Sequence, residues 1–137
     1  MNLSYDVRAN TINNRLYLRL AGMMNDAEAA AVADRIISEI RKLKPGFAVI
    51  NDISELKPAS LAATEHLRRA QEASVKAGSG RVIRIVGSQA ITQMQWNRTL
   101  KQTQGAVAEV VSSLREAERI LDGSAQNSRL KTHTSDE

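Results

Sequence analysis

Hydroxyl and carboxylate side chains gather at one junction of this sequence, where a short apolar run gives way to a helical pattern. The run at 47–53 leads into Asp52 and Ser54, and a helical stretch begins a few residues later. Open α/β sheets place ligand and partner sites where strands end and helices begin. The candidate partner-binding residues are Asp52, Ser54, Lys57 and Ser60.

No set of residues with the spacing of an enzyme active site occurs in the 137 residues. The chain has no cysteine, which removes disulfides, thiol nucleophiles and thiolate metal sites. Of the two histidines, His66 falls in a helical pattern without a nucleophile and His133 falls in a polar tail. We therefore predict that the protein is not an enzyme and holds no metal or other cofactor. A small enzyme acting through Asp52 would need a cleft that raises the pKa of this carboxyl group.

Each residue of the candidate site also has a structural use. A serine placed like Ser60 often caps a helix by accepting a hydrogen bond from a free backbone N–H group. Asp52 and Ser54 can fix a turn by bonding to nearby backbone amides. These structural uses are the commoner ones, so partner binding at this junction is a hypothesis that the geometry has to support.

The composition is that of one globular domain. Apolar residues make up 42% and aromatic residues only 3%, so aliphatic side chains must fill the core. The net charge is +4, but 19 basic residues are interleaved with 15 acidic ones, which argues against nucleic-acid binding. No apolar stretch approaches the roughly 20 residues that cross a bilayer, and residues 1–6 lack a signal-peptide pattern. These observations predict a cytoplasmic protein without a membrane span.

The hydropathy pattern alternates between the period of strands and the period of helices. Residues 5–9 and 16–20 alternate apolar and polar side chains around a turn at 13–14, which predicts an opening hairpin. Helical spacing then starts after a cap at Asn25 and stops at Pro45. Further strands are predicted at 47–53, 82–86 and 107–111, and further helices at 58–77, 89–103 and 113–122.

The resulting element order is ββαβαβαβα, and each strand-helix-strand step is long enough to join parallel strands. We predict an α/β fold with a mixed, mostly parallel sheet of about five strands and with helices packed mainly on one face. Polar residues at strand positions, such as Arg19, Arg84 and Glu109, predict that one face is not fully covered. Residues 1–122 are predicted to form a single domain, followed by a disordered polar tail at 123–137.

The chain resembles a known family in this element order and in two short segments. One strand ends in Asp52-Ile53-Ser54, and the next runs Arg81-Val82-Ile83-Arg84-Ile85-Val86-Gly87. Over roughly residues 4–122 the pattern is similar to STAS domains of anti-sigma factor antagonists and to their SpoIIAA-like relatives. The resemblance implies a non-enzymatic regulatory module that binds a protein partner.

The resemblance also implies a phosphorylation switch at the start of a helix. In the antagonists, a phosphorylated hydroxyl stands in Asp-Ser-Ser or Asp-Ser-Thr followed by Gly. In this chain the segment Lys57-Pro58-Ala59-Ser60-Leu61 occupies that place. Ser60 is therefore the candidate phosphoacceptor, but the usual motif around it is missing.

SpoIIAA-like relatives without this motif resemble lipid carriers in topology, which implies a second function. The chain would then be a cytosolic carrier of a small apolar or lipid-like ligand held between the sheet and the helices. Adaptable apolar side chains that could line such a pocket, or simply fill the core, are Met23, Met24, Met94 and Trp96. A homodimer is left open, because a half-covered sheet or a short edge strand can pack against a second copy.

Overall fold

The strands of the protein form one sheet, with helices on both of its faces. The computed structural model describes residues 3–87 and 108–123. The strands are β1 (Ser4–Asn10), β2 (Arg15–Gly22), β3 (Ala48–Leu56), β4 (Val82–Ile85) and β5 (Ala108–Val111). The helices within the described residues are α1 (Asp26–Ile40), α2 (Leu61–Lys76) and α3 (114–123).

The strands lie side by side in the order β1-β2-β3-β4-β5. β1 is antiparallel to β2, and the other neighbouring pairs are parallel. Asn14 takes a positive φ of 56° in the hairpin turn, a conformation that asparagine tolerates. The predicted hairpin and the mixed, mostly parallel sheet are therefore confirmed.

Helix α1 begins and ends where the sequence signals predict. Asn25 Oδ1 accepts a hydrogen bond from the backbone N–H of Glu28, and the Glu28 side chain accepts one from the backbone N–H of Asn25. This reciprocal capping box satisfies two N–H groups that have no partner inside the helix. Beyond Pro45, Gly46 has a φ of 91°, which glycine adopts without strain.

Helices α1 and α2 cover one face of the sheet. Alternate residues of the strands, among them Leu16, Leu18 and Val49, pack beneath them. Ala63 and Ala70 of α2 are fully buried, so the small side chains predicted for this helix let it approach its neighbours closely. The main core of the described residues lies in this layer.

Helix α1 also protects the outer edge of β1. Glu39 Oε1 accepts a hydrogen bond of 2.9 Å from the backbone N–H of Ala9, and Arg35 Nε donates one of 3.2 Å to the carbonyl of Val7. Lys42 Nζ donates to Glu39 Oε2 at 2.7 Å. These bonds occupy backbone groups that would otherwise be open to another strand.

Helix α3 covers part of the opposite face. Ala117 and Leu121 pack there against Tyr17, Ile50 and Ile83. The alternation along β2 predicts that the face with Arg15, Tyr17 and Arg19 is at least partly exposed; Arg19 is exposed, but Arg15 and Tyr17 are buried. Arg15 donates a hydrogen bond to Asp122 Oδ1 at 2.6 Å, and the Tyr17 hydroxyl donates one to Glu118 Oε2 at 3.5 Å.

The polar strand residues used to predict an uncovered face have three different environments. Arg19 is exposed, as expected, whereas Glu109 forms an ion pair with Arg81. Arg84 is wholly buried on the face that α1 and α2 cover, so its presence in a strand does not indicate exposure.

Two predicted segments fall outside the described residues. The helix predicted at 89–103 lies between the described ranges, and all of the predicted tail except Gly123 lies beyond them. Gly123 itself lies in α3 and is the last residue that the structure describes. Within residues 3–87 and 108–123, no helix has the length and hydropathy needed to cross a membrane.

Candidate functional site

Asp52 and Ser54 lie in the last part of strand β3, not in a loop after it. The strand continues to Leu56, three residues beyond the predicted end. Asp52 Oδ1 accepts hydrogen bonds from the backbone N–H of Ser54 at 3.0 Å and from its hydroxyl at 2.6 Å. The two side chains therefore satisfy each other locally, which is the structural use considered for them.

Charged side chains surround Asp52 on the face that carries α3. Arg19 stands opposite Asp52 in the neighbouring strand. Its guanidinium donates to Glu55 Oε2 at 3.1 Å and lies 3.9 Å from Asp52 Oδ2. Because Arg19 and Glu55 are exposed, this network adds little stability and leaves its charges open to a partner.

Ser60 is the N-cap of α2. Its hydroxyl oxygen accepts a hydrogen bond from the backbone N–H of Ala63 at 3.1 Å, and the hydroxyl donates to Asp26 Oδ1 at 3.1 Å. Ser60 therefore joins the starts of the two helices that cover one face. Its use as a phosphoacceptor remains a prediction.

The capping contact predicts how substitutions at Ser60 change stability. We expect Ser60→Ala to lower the free energy of unfolding by about 1 kcal/mol, because the Ala63 N–H group loses its acceptor. Ser60→Asn should retain most of the stability, since asparagine is also a good N-cap. Urea unfolding of the two variants and the wild type measures both effects. Equal stability of the wild type and Ser60→Ala would show that the cap contributes nothing.

The segment that follows β3 is hydrogen-bonded to the residues on either side of the connection between β2 and α1. The backbone N–H of Lys57 donates to the carbonyl of Gly22 at 2.9 Å, and Ser60 contacts Asp26. Met23 is 55% exposed in the connection between β2 and α1, and Leu61 is 79% exposed at the start of α2. We call Met23, Asp52, Ser54, Lys57, Ser60 and Leu61 the carboxyl-end surface.

After β4, the backbone at Gly87 passes very close to the backbone of Ser54 in the carboxyl-end surface. A Cβ atom at Gly87 would lie 2.5 Å from the carbonyl oxygen of Ser54, which is closer than carbon and oxygen can pack. Only glycine therefore allows this approach without a shift of the backbone. The close contact with Ser54 therefore explains why a glycine ends the segment Arg81 to Gly87.

A second group of polar residues was not predicted as a site. Asn51, Gln71 and Arg84 line a cavity of about 40 Å³ between the sheet and α2. The signal was in the sequence: Asn51 and Arg84 stand at strand positions whose neighbours on the same face are apolar. Sequence reasoning treated Arg84 as a mark of an uncovered face and so missed the cavity.

The two described methionines, which could line a pocket or fill the core, lie in different places. Met24 is part of the main core, and Met23 is on the surface. Neither lines the cavity between the sheet and α2. Met94 and Trp96 lie outside the described residues.

Neither histidine belongs to the carboxyl-end surface. His66 is partly buried on α2, and His133 lies outside the described ranges. Within residues 3–87 and 108–123, no cluster of three histidine, aspartate or glutamate side chains could hold a metal ion.

The fold, unlike the sequence, has a recognisable relative. Among solved structures, the chain is similar to an uncharacterised protein of the DUF3478 family from Shewanella loihica PV-4, which has a SpoIIAA-like fold. The match has a TM-score of 0.62 and 16% sequence identity, and it covers 88% of this chain and 94% of the other. This chain has a SpoIIAA-like fold. The predicted fold class is therefore confirmed.

The comparison with sequences gives no match. No protein-family model matches the chain, and no curated protein matches it either.

Proposed function

We propose that the protein is a non-enzymatic regulatory module that binds a protein partner through the carboxyl-end surface. The observation that supports this proposal is the exposure of two large apolar side chains, Met23 and Leu61, beside two hydrogen bonds, Lys57 to Gly22 and Ser60 to Asp26, that join the segments following β2 and β3. Large apolar side chains that are exposed to solvent are typical of the centre of a protein interface.

The surroundings of these two side chains support the same proposal. The charged residues Lys57, Asp26 and Glu28 lie three to five residues along the chain from Met23 or Leu61. An apolar centre with a charged margin is the usual composition of a non-obligate interface. The partner should therefore present an apolar side chain or two, flanked by charges of both signs.

A binding experiment with matched charge substitutions tests the proposal. Wild type, Leu61→Glu, the double variant Met23→Glu/Leu61→Glu and Ile12→Glu are immobilised, and captured proteins are quantified by mass spectrometry. Ile12 is 97% exposed in the turn between β1 and β2, at the other end of β2, so it provides the same substitution away from the surface. We expect a partner that Ile12→Glu retains and that both Leu61 variants lose by at least tenfold.

Two further variants test whether the hydroxyl groups of Ser54 and Ser60 take part in binding the partner. Ser54→Ala and Ser60→Glu should alter the capture of the same partner if these polar groups contact it. Identical sets of captured proteins for all variants would contradict the proposed surface.

A further inference from the structure

Three connections of the chain meet at the end of the sheet opposite the carboxyl-end surface. They are the turn between β1 and β2, the connection from α1 to β3 and the connection from α2 to β4. Asn14 joins the first two, because its side chain accepts a hydrogen bond from the backbone N–H of Lys44 at 2.9 Å and donates one to the Lys44 carbonyl at 3.2 Å. The backbone N–H of Gly46 donates to the carbonyl of Gly78 at 2.7 Å, which joins the second and the third. The three connections therefore form one hydrogen-bonded unit.

This end of the sheet carries positive charge that the fold does not neutralise. Arg41 and Lys44 are exposed in the connection after α1, and Lys76 is exposed at the end of α2. None of the three forms an ion pair within residues 3–87 and 108–123. Their charges are therefore open to an anionic partner.

The carboxylates nearest to these cations in the fold are bound to other basic side chains. Glu39 accepts a hydrogen bond from Lys42 at 2.7 Å. Glu72, one helical turn before Lys76, pairs with Arg68 at 2.9 Å. Two further acids of the described residues are also paired, Glu109 with Arg81 and Asp122 with Arg15. The surplus positive charge at this end therefore persists.

A large apolar side chain projects from the same hydrogen-bonded unit. Ile12 is 97% exposed, more than any other large apolar side chain of the described residues. Asn10 Oδ1 accepts hydrogen bonds from the backbone N–H groups of Ile12 and Asn13 at 3.0 and 3.3 Å, which holds the turn in place. Transfer of Ile12 from water to an apolar environment is favourable.

Cations around a projecting apolar side chain suit the surface of an anionic bilayer. Lipid head groups supply negative charge, and the boundary with the acyl chains accepts an apolar side chain. Nucleic acids are bound with the help of aromatic rings that stack on bases. Phe47, an aromatic residue at this end of the sheet, is only 1% exposed and cannot serve in this way.

We propose that Ile12, Arg41, Lys44 and Lys76, which we call the amino-end surface, bind the chain peripherally to an anionic lipid bilayer. The three cations contact the head groups, and Ile12 enters the boundary between head groups and acyl chains. The carboxyl-end surface then faces away from the bilayer. The two surfaces share no residue, so this binding is independent of the proposed function.

Sedimentation with lipid vesicles tests the proposal. The full chain is mixed with vesicles of equal parts phosphatidylserine and phosphatidylcholine, or of phosphatidylcholine alone. We expect partition into the anionic vesicles to be at least about tenfold stronger, since each basic residue near such a surface adds roughly fivefold. Raising the salt concentration from about 0.05 M to about 0.5 M should release the chain, because salt screens these charges.

Matched substitutions locate the binding. Arg41→Gln should weaken partition into the anionic vesicles about fivefold, and the double variant Lys44→Gln/Lys76→Gln at least about tenfold. Arg115→Gln, at an exposed position near the start of α3 and the opposite end of the sheet, should change it by less than about twofold.

Substitutions of Ile12 test the apolar contact. Ile12→Glu should weaken partition at least about tenfold, whereas Ile12→Trp should strengthen it several-fold, because tryptophan favours the membrane interface. Leu114→Glu, at an exposed position of α3, is the control and should have little effect. In the capture experiment above, Ile12→Glu retains the protein partner, so failure of one proposal is distinguishable from failure of the other.

Three results would overturn the proposal. The first is no sedimentation with anionic vesicles at millimolar lipid and low salt. The second is equal partition of wild type, Arg41→Gln and Ile12→Glu. The third is tighter binding to a DNA duplex than to the vesicles, unchanged in Ile12→Trp, which would assign the cations to nucleic acid instead.

Discussion

Removal of helix α3 should abolish the folded state. A chain that stops after Ser113 loses Ala117 and Leu121, which pack against Tyr17, Ile50 and Ile83. This truncation uncovers an apolar face and leaves the buried Arg15 without Asp122. We expect the two effects to lower the free energy of unfolding by about 5 kcal/mol, which is comparable with the whole stability of a small domain. We expect this chain to be aggregated or unfolded by circular dichroism and size-exclusion chromatography.

A chain that stops after Gly123 is the matched control for this truncation. It retains α3 and should unfold within about 0.5 kcal/mol of the full chain, because the predicted tail has little apolar surface. Within α3, Leu121→Ala should lower stability by about 2–3 kcal/mol, whereas Leu114→Ala, at an exposed position, should change it by less than about 1 kcal/mol. A folded, monomeric chain ending at Ser113 would show that α3 is not needed to cover this face.

Glu39→Gln should destabilise the protein at neutral pH and much less in acid. The Glu39 carboxylate is buried and lies between Lys42 and the backbone N–H of Ala9. The hydrogen bond from Lys42, assisted by the one from Ala9 and opposed by burial, holds the pKa of Glu39 below its usual value. We expect the substitution to cost about 2 kcal/mol at pH 7, since a charged acceptor is lost.

The pH dependence of this loss follows from the direction of the pKa shift. A carboxyl group whose pKa is lower in the folded state adds stability above its unfolded pKa of about 4.3, and that stability disappears as the pH falls through the folded value. The difference between wild type and Glu39→Gln in urea unfolding should therefore shrink between pH 5 and pH 3. Glu65→Gln on the surface of α2 serves as the control and should show little effect at any pH. A difference that stays constant down to pH 3 would contradict the assignment to the Glu39 charge.

Most of the fold could be predicted because its signals are local. The capping box at Asn25, the positive φ at Asn14 and the small side chains of α2 all act within a few residues of chain. Alternation along β2 likewise assigns Leu16 and Leu18 to the covered face. These patterns need no knowledge of what lies far away in sequence.

The errors concern contacts that distant residues create. Arg15 and Tyr17 are polar by type, but Asp122 and Glu118, about 100 residues later, satisfy them in a buried layer. The predicted strand ended at residue 53, before Ser54 and Glu55, but pairing with β2 extends β3 through both residues. Polarity in a strand therefore predicts exposure poorly when a later helix brings a complementary charge.

The two groups of polar residues differ in how far apart their members are in sequence. Asp52, Ser54, Lys57 and Ser60 are close in sequence: the first two lie in β3, Lys57 follows it and Ser60 caps α2, and their use in binding a partner stays a prediction. The cavity unites Asn51, Gln71 and Arg84 from three separate elements. No spacing rule along the chain relates these three residues, so only the register of β3 and β4 and the position of α2 reveal them.

The strand order has a consequence for synthesis on the ribosome. Because β1 to β5 lie in the sheet in the order in which they are translated, each new strand can dock on an edge that is already formed. No earlier strand has to wait for a later one to be inserted beside it. The face under α3 is completed last, and until then a nascent chain exposes Ile50 and Ile83 to chaperones or to neighbouring chains.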